Sequence, residues 1–321
     1  MKTKVLVPER VVDELTPRIY DVAPTCAVVA VTSEGEVQGQ LGDAEVLLLR
    51  WWGLSCEGFQ RVVAETSSLR WIHTISAGVD HVLFPFLVES DILLTSASGV
   101  YDVPITEMVL AYMLLVVKRM PEFLGQQMAH HWHRLDLREL RGLTVGVVGL
   151  GSIGTEVARL VGAFGMRVVA TKRHPERGAE AADLVLPPER LHDLLAQSDF
   201  VVITAPITHE THHLIDAQAL AQMNPDAWLI NIARGAVVDE AALVRALQEG
   251  SIGGACLDAF EEEPLPEDSP LWDLPNVMIT PHNSWSSPYL QERSARLFLE
   301  NLRRYMAGEP LLNVVDKKAG Y

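Results

Sequence analysis

The hydrophobic positions of the first hundred residues fall into short apolar runs, which are separated by stretches with helical periodicity. A short, unbroken apolar run is typical of a strand that is buried on both faces of a parallel sheet. Strands that alternate with helices along a chain indicate β-α-β units, in which consecutive strands lie parallel. The pattern therefore predicts an open parallel sheet with strands over residues 4–7, 26–31, 46–50, 71–74 and 92–95.

A second series of apolar runs predicts a second parallel sheet. Its strands are expected over residues 143–148, 167–170, 200–204, 228–231, 254–257 and 277–279. A long apolar helix over 105–117 and a polar, histidine-rich passage over 126–138 precede this series. A chain of 321 residues exceeds the size at which a single core usually stops growing, so two domains are expected. Because the last helical stretch, about 288–313, is expected to pack on the first sheet, we expect one domain of residues 1–101 and 287–321, with a second domain of residues 102–286 inserted into it.

Composition narrows the classes of partner. The chain has 321 residues, of which 42 are acidic and 26 basic, and its formal net charge is −16. Such a charge repels nucleic acid and anionic membranes, so we expect neither as a partner. The sequence contains no signal-peptide pattern and no apolar stretch long enough to span a bilayer. Cys26, Cys56 and Cys256 are too far apart for a metal-binding pair and favour a reducing, cytoplasmic location.

One run joins a buried-strand pattern to a glycine-spaced turn and then to a helix. The predicted strand over 143–148 is followed by Gly149, Gly151 and Gly154. In this spacing the first glycine allows a tight turn, the second lets the backbone approach a pyrophosphate, and the third lets the helix pack close to the strand. The amides and the dipole of the helix N-terminus then favour phosphate. This context predicts that residues 102–286 form a dinucleotide-binding domain, which leaves residues 1–101 and 287–321 as the substrate domain. An ordinary strand-to-helix turn is the alternative.

Five segments follow one another in a specific order and spacing along nearly the whole chain. They are Ser76–Asp80, Gly149–Gly154, Ile230–Gly235, Leu257–Pro264 and Thr280–His282. In these segments the chain resembles the D-isomer-specific 2-hydroxyacid dehydrogenase family. The resemblance implies an α/β protein of two Rossmann-like domains with parallel sheets, which forms a homodimer. It also implies NAD(P)-dependent reduction of a small 2-oxo acid, such as glyoxylate or hydroxypyruvate, to the D-2-hydroxy acid.

The same resemblance implies a catalytic set of Arg234, Glu263 and His282, and the chemistry of these side chains suits the reaction. The planar guanidinium of an arginine binds a carboxylate through two hydrogen bonds. An imidazole can supply a proton near neutral pH to the developing alkoxide. Glu263 is expected to pair with His282, which favours the imidazolium and fixes the ring. Taken singly, a surface arginine, a loop acid and a turn histidine remain the alternatives.

The expected cofactor site departs from the family pattern at one strand end. Relatives often have an acid there that binds the ribose hydroxyls of NAD, whereas this chain has Lys172 and Arg173. Two cations suit a 2′-phosphate, so we expect NADP, with NAD or a merely solvated basic turn as the alternative. The resemblance implies further cofactor contacts from Gly149, Gly151, Ser152, Ile153, Gly154, Thr204, Ala205, Pro206, Ile232, Ala233 and Asp258, the last near the nicotinamide carboxamide.

The substrate is expected to contact a loop of the first domain as well as Arg234. The resemblance implies that the backbone amides of Ala77, Gly78 and Val79 bind its carboxylate. A turn of small residues is the alternative interpretation of this loop.

Three tryptophans near the expected cleft are open to more than one interpretation. Trp285 stands where many relatives have small residues, and it either narrows the substrate pocket or covers the nicotinamide. Arg50, Trp51 and Trp52 end a strand of the first domain, where they can line the cleft. For Trp51 and Trp52 a place in the core or at an interface is the alternative.

A cluster of histidines is open to more than one interpretation. His130, His131 and His133 lie close together, but no cysteine accompanies them, so a solvated helix or an interface is expected rather than a metal site. We expect no metal.

A nucleotide-sensing binding protein of the corepressor type, or a formate or phosphonate dehydrogenase of the same architecture, is the alternative to a 2-oxo acid reductase.

Overall fold

The computed structural model describes residues 2–37, 43–49, 54–177 and 181–321. The chain divides into two compact units, one formed by Met1–Tyr101 with Ser287–Tyr321 and the other by Asp102–Ser286. The strands of the described ranges are β1 (Lys4–Pro8), β2 (Ala27–Val31), β3 (Ala44–Leu49), β4 (Trp71–Thr74), β5 (Leu93–Thr95), β6 (Thr144–Val148), β7 (Arg167–Thr171), β8 (Leu184–Leu186), β9 (Phe200–Ile203), β10 (Trp228–Asn231), β11 (Gly254–Leu257) and β12 (Val277–Ile279). The helices are α1 (Glu9–Val22), α2 (Cys56–Glu65), α3 (Pro85–Glu89), α4 (Asp102–Val117), α5 (Met120–Met128), α6 (Ser152–Ala163), α7 (Leu191–Leu195), α8 (Ala217–Leu220), α9 (Glu240–Glu249) and α10 (Leu290–Ala307).

The first unit is built on a parallel sheet with the strand order β2-β1-β3-β4-β5. Side chains alternate between its faces, so Val5 and Val7 pack in a core with α1 and α10, whereas Leu6 packs in the opposite core with α2 and α3. Trp71 stacks on Phe298 of α10 with ring centroids 5.8 Å apart. Because both faces are covered, the strands are apolar on both sides, which is why they were recognisable in the sequence.

The second unit is built on a parallel sheet with the strand order β12-β11-β10-β9-β6-β7-β8. The chain starts at β6, adds β7 and β8 on one side, and then crosses to add β9 to β12 on the other. The direction of the strand order therefore reverses between β6 and β9. In open α/β sheets, ligands bind at the carboxyl ends of the strands at such a reversal.

The two parallel sheets confirm the fold class that the sequence predicts. Two elements differ from the expectation. The edge strand β8 was not predicted, and only one of its three side chains is buried. The passage over 126–138, expected to be a polar connector, begins inside α5, and its remainder has no regular structure. None of the described helices combines the length and apolar character needed to cross a bilayer.

Candidate active site

The candidate catalytic side chains follow three neighbouring strands of the second unit. Arg234 comes after β10, Glu263 after β11 and His282 after β12. These strands are hydrogen-bonded neighbours and run parallel, so their carboxyl ends lie at one edge of the sheet. The topology thus brings together residues that are widely separated in sequence.

Glu263 and His282 form a direct hydrogen-bonded pair. The imidazole Nδ1 lies 2.7 Å from the Glu263 Oε2 atom, and Glu263 Oε1 accepts a hydrogen bond from the amide of Phe260 at 3.0 Å. A carboxylate only accepts hydrogen bonds, so Nδ1 carries a hydrogen and Nε2 is the nitrogen that can exchange a proton. Both side chains are 36% exposed, which leaves the ring accessible to a small molecule.

The loop that carries His282 is held by buried polar groups. His282 has a left-handed backbone conformation with φ 50°, which costs a residue with a side chain about 1 kcal/mol. Asp258 is completely buried, and its carboxylate accepts hydrogen bonds from the amides of Asn283 at 2.8 Å and Ser284 at 2.9 Å. The indole N–H of Trp285 donates to the His282 carbonyl oxygen at 2.7 Å. These contacts hold the backbone that directly follows His282 in the chain.

A buried asparagine shapes the turn that carries Arg234. The side-chain amide of Asn231 donates to the Arg234 carbonyl oxygen at 3.0 Å and accepts from the Ala233 amide at 3.1 Å. The turn also lies against the loop of Glu263, because a Cβ on Gly235 would stand only 1.8 Å from the carbonyl carbon of Phe260. Glycine is therefore required next to Arg234, and this close approach joins the arginine turn to the glutamate loop.

The glycine turn after β6 has the geometry expected of a pyrophosphate cradle. Gly149 has φ 100°, and a Cβ on it would approach the backbone of Ala205 to 2.8 Å. A Cβ on Gly154 would approach the Gly149 carbonyl oxygen to 2.2 Å, so α6 packs directly on the turn. Around Gly151, by contrast, nothing lies within 4 Å of the added Cβ position. The turn is thus closed on the protein side and open beside the first residues of α6, so these residues fit a dinucleotide.

The first turn of α6 and the end of β9 supply the other groups expected around the dinucleotide. Ser152 donates from its hydroxyl to the Asp102 carboxylate, and Ile153 is half-buried. Thr204 uses its hydroxyl to brace the glycine turn, where it donates to the Val148 carbonyl at 3.2 Å and also contacts that of Gly149. Thr204 therefore supports the backbone of the turn.

The remaining predicted cofactor contacts differ in exposure. Ala205 and Ile232 are buried, Ala233 is half-buried, and Pro206 is exposed. The Pro206 carbonyl accepts from the Thr211 hydroxyl at 2.6 Å, which orders the start of its loop. Asp258 uses both carboxylate oxygens within the protein, so its predicted proximity to the nicotinamide stays a prediction.

The basic pair follows β7 directly, at the strand next to the glycine turn. Lys172 is half-buried, and its amide donates to the Leu186 carbonyl at 3.0 Å. Arg173 is exposed and forms an ion pair with Glu210. The arginine thus already neutralises one carboxylate at the place where a 2′-phosphate is expected.

Comparison with known proteins identifies the family. Residues 110–284 match the model of the D-isomer specific 2-hydroxyacid dehydrogenase NAD binding domain. The chain belongs to the D-isomer specific 2-hydroxyacid dehydrogenase family.

Individual members of this family are similar over most of the chain. A D-3-phosphoglycerate dehydrogenase from Methanocaldococcus jannaschii is 31% identical over 98% of this chain, which spans 59% of that relative's length. A glyoxylate/hydroxypyruvate reductase B from Pectobacterium carotovorum is 40% identical, with 77% of this chain and 79% of that protein covered. The crystal structure of a family member from Xanthobacter autotrophicus Py2, in complex with NADPH and MES, superposes with a TM-score of 0.86 at 33% identity, covering 100% and 99% of the two chains.

The loop that this family resemblance assigns to the substrate lies in the first unit. Ala77 and Gly78 are half-buried, and over the described ranges no observed hydrogen bond uses their amide groups. Val79 is buried in the core under the loop, which anchors it. The Ser76 hydroxyl contacts the Thr74 hydroxyl at 2.8 Å and His81 Nε2 at 3.2 Å, so the base of the loop is held by polar contacts.

The aromatic positions that the sequence left open have different outcomes. Trp285 is half-buried, and its indole N–H already donates to the His282 carbonyl oxygen, so one role of this side chain is to support the loop that carries His282. Arg50, Trp51 and Trp52 lie outside the described residues.

The histidine-rich segments form no recognisable metal site. The rings of His131 and His133 lie with centroids 6.0 Å apart on an exposed segment, and His213 pairs with Glu261 at 2.8 Å. Among the described residues, no group of three or more histidine, cysteine and acidic side chains is placed to hold a metal ion.

Sequence reasoning missed two residues that shape the candidate site. Asn231 lies within one of the five motif segments, but nothing in the sequence indicates that its amide organises the turn of Arg234. Tyr112 lies inside the apolar helix α4, and its hydroxyl contacts that of Thr280. No sequence pattern distinguishes this tyrosine from an aromatic residue of the core, so its contact with Thr280 was not predictable.

Proposed function

We propose that this chain reduces a small 2-oxo acid of the glyoxylate or hydroxypyruvate class to the D-2-hydroxy acid, with NADPH preferred over NADH. The observation that carries the proposal is the Glu263–His282 pair at 2.7 Å, placed at strand ends that also carry Arg234. An imidazole oriented by a carboxylate is suited to protonate a carbonyl oxygen, and an arginine at a nearby strand end of the same sheet is suited to bind the carboxylate of the substrate.

The residues of the glycine turn would hold the cofactor. The open space beside Gly151 and the amides at the start of α6 suit a pyrophosphate. When bound, the reduced nicotinamide supplies the hydride. Ile232, Ala233 and Asp258, at the ends of β10 and β11, would lie on the nicotinamide side, and Thr204, Ala205 and Pro206 on the adenosine side.

Each catalytic side chain has a distinct role in this proposal. Arg234 binds the substrate carboxylate and polarises the carbonyl through its guanidinium. As the carbonyl carbon gains the hydride, its oxygen takes the proton from Nε2 of His282, which becomes a neutral imidazole. Glu263 holds the ring through Nδ1 and stabilises the imidazolium before the transfer.

The amides of Ala77 and Gly78 are proposed as further donors to the substrate carboxylate. Their hydrogen-bonding capacity is consistent with this role, whereas the buried Val79 supports the loop. Trp285 would limit the size of the substrate side chain, because its indole is fixed to the His282 backbone.

The preference for NADPH rests on Lys172 and Arg173. Two cations at the end of β7 provide charge for a 2′-phosphate, and no acidic side chain occupies either position. The relative from Xanthobacter autotrophicus was crystallised with NADPH, which supports the same choice here.

The test is a set of initial rates for glyoxylate, hydroxypyruvate, pyruvate and phenylpyruvate, each with NADPH and with NADH. We expect turnover with at least one of the two smallest acids and a higher kcat/KM with NADPH. Cofactor binding without turnover of any acid would contradict the proposal and favour a nucleotide-sensing protein. Turnover with NADH equal to that with NADPH would overturn only the cofactor preference.

A further inference from the structure

A buried tyrosine of α4 is connected to the catalytic loop through two side chains. Tyr112 is 2% exposed, and its hydroxyl contacts the hydroxyl of Thr280, which follows β12. The Thr280 hydroxyl in turn donates to Oδ1 of Asp258. All three residues belong to the second unit, so the connection is formed within one compact body.

The direction of these hydrogen bonds follows from the chemistry of the groups. The Asp258 carboxylate accepts from the amides of Asn283 and Ser284 and can only accept from Thr280. The single hydrogen of the Thr280 hydroxyl is therefore used, and Tyr112 must be the donor to Thr280. Burial raises the pKa of Tyr112 above its ordinary value, and the negative charge of Asp258 adds to this, so the phenol keeps the hydrogen that it donates.

The chain of donors ends on the backbone that carries the imidazole. Asn283 and Ser284 immediately follow His282, whose backbone has φ 50°. This conformation persists only where surrounding contacts hold it. A change in the Asp258 position would release both amides, and it would rotate the imidazole away from Glu263.

We propose that Tyr112 is a positioning residue for His282 and acts through Thr280 and Asp258. Its hydroxyl fixes the threonine rotamer, the threonine fixes the carboxylate, and the carboxylate fixes the backbone after His282. The proposed effect on turnover rests on the reductase function proposed above, whereas the effect on the loop does not.

The first experiment compares Tyr112→Phe with the wild-type protein. This change removes one hydroxyl and keeps the buried ring. Amide hydrogen exchange is measured by NMR or mass spectrometry, and kcat and KM are measured with the best 2-oxo acid. Loss of one hydrogen bond in a buried network is expected to raise exchange at Asn283 and Ser284 and to lower kcat, each by about 3- to 10-fold. The Kd for the cofactor is expected to stay within about 2-fold, because Tyr112 is not among the residues proposed to contact the cofactor.

Tyr305→Phe is the matched control. Tyr305 also donates its hydroxyl from a half-buried position, to Glu45 at 3.0 Å, but it lies on α10 in the other unit. We expect this variant to leave exchange over residues 280–285 and kcat at their wild-type values.

Substitutions at Thr280 give an independent test. Thr280→Val removes the connecting hydroxyl, whereas Thr280→Ser retains it. The valine variant should reproduce the effects of Tyr112→Phe on exchange and kcat. The serine variant should keep most of the wild-type protection and kcat. The double variant Tyr112→Phe/Thr280→Val should be no worse than Thr280→Val alone.

Unchanged exchange at Asn283 and Ser284 in Tyr112→Phe would overturn the proposal, as would faster exchange spread evenly over the whole unit. If the wild-type protein reduces none of the tested acids, the exchange data alone decide the positioning role. Failure of the reductase function and failure of the positioning role are therefore separate outcomes.

Discussion

A replacement of Arg234 can test whether the substrate site needs only a positive charge or also the planar guanidinium group. The change Arg234→Lys keeps the positive charge but removes the planar arrangement of donors that can hold a carboxylate by two bonds. We expect kcat/KM for the 2-oxo acid to fall by about 10- to 100-fold, the value of a charge-assisted pair of hydrogen bonds. Steady-state kinetics with saturating NADPH measures this. Unaltered kcat/KM, with normal folding, would remove Arg234 from the substrate site.

Glu210 competes with a 2′-phosphate for Arg173 in the proposed cofactor site. Glu210→Gln removes this ion pair, and an exposed pair is worth about 0.2–1 kcal/mol, so NADPH affinity should rise by about 1.5- to 5-fold while NADH affinity stays unchanged. Fluorescence titration of both cofactors provides the measurement. The matched control is Glu176→Gln, whose carboxylate pairs with His174 at 3.2 Å on the same segment. A loss of NADPH affinity in Glu210→Gln alone would show that the ion pair organises the site instead.

The predictability of the site differs from residue to residue. Arg234, Glu263 and His282 could be proposed from the sequence because each stands in a motif whose chemistry can be interpreted locally, and their catalytic roles stay a prediction. The supporting role of Asp258 could not be proposed, because its hydrogen bonds join groups 25 and 26 positions away. Tyr112 was hidden for the same reason, since its partner lies 168 positions away and its own surroundings in the sequence are apolar.

At the level of elements, the buried His73 on β4 should make the stability of the first unit depend on pH. The side chain is completely buried, its Nδ1 contacts the Thr95 hydroxyl at 2.8 Å, and its Nε2 makes no hydrogen bond among the described residues. Burial disfavours the charged ring and lowers the pKa of His73 to about 3. In the unfolded chain a histidine titrates near its ordinary value of about 6.5.

Acid should therefore destabilise this unit through His73. The histidine is neutral in both states above pH 6.5, so its contribution is fully present there. As the pH falls towards 3 only the unfolded chain binds the proton, and the free energy of unfolding drops by about 1.4 kcal/mol per pH unit. Between pH 7 and pH 5 the loss is about 2 kcal/mol.

The variant His73→Leu isolates this contribution. Urea unfolding at pH 7, 6 and 5 should show a shallower decline for the variant than for the wild type, with His213→Gln as a control for an exposed histidine. If the free energy of unfolding of the two proteins depended on pH in the same way, the pKa of His73 would not differ between the folded and unfolded states.

The elements themselves were largely readable from the sequence. Apolar runs located strands such as β4, β10 and β11 with their observed bounds, because a strand covered on both faces has no polar positions to interrupt the pattern. The short β8 lies at the edge of its sheet, and Leu184 is exposed, so neither its length nor its hydrophobicity stood out. Helix α5 buries none of its side chains, which is why hydrophobic periodicity did not reveal it.

At the level of the whole molecule, the segment over 120–137 presents apolar side chains to solvent. It exposes several large apolar side chains: Met120, Leu124, Met128, Trp132 and Leu137. Trp132 is 94% exposed, an unfavourable position for an indole in a soluble monomer. We propose that a second copy of the chain covers this segment, in agreement with the homodimer that the family resemblance implies.

Trp132→Ser tests this proposed dimer. The change should shift sedimentation from dimer towards monomer at micromolar concentration, whereas Trp272→Ser, at a tryptophan that is 51% exposed, should not. Because each copy carries a net charge of −16, association should also strengthen as salt screens the repulsion. A wild-type protein that sediments as a monomer at all salt concentrations would contradict the proposal.

The most direct test of the proposed reduction is the turnover of His282→Asn with the best 2-oxo acid and saturating NADPH. Without a proton donor for the carbonyl oxygen, kcat should fall by at least about 100-fold, the usual contribution of general acid catalysis. The cofactor Kd should remain unchanged. His213→Gln, which disrupts the pair of His213 with Glu261 at 2.8 Å, should retain wild-type turnover. A His282→Asn variant that keeps most of its kcat would show that His282 is not the acid and would contradict the proposed mechanism.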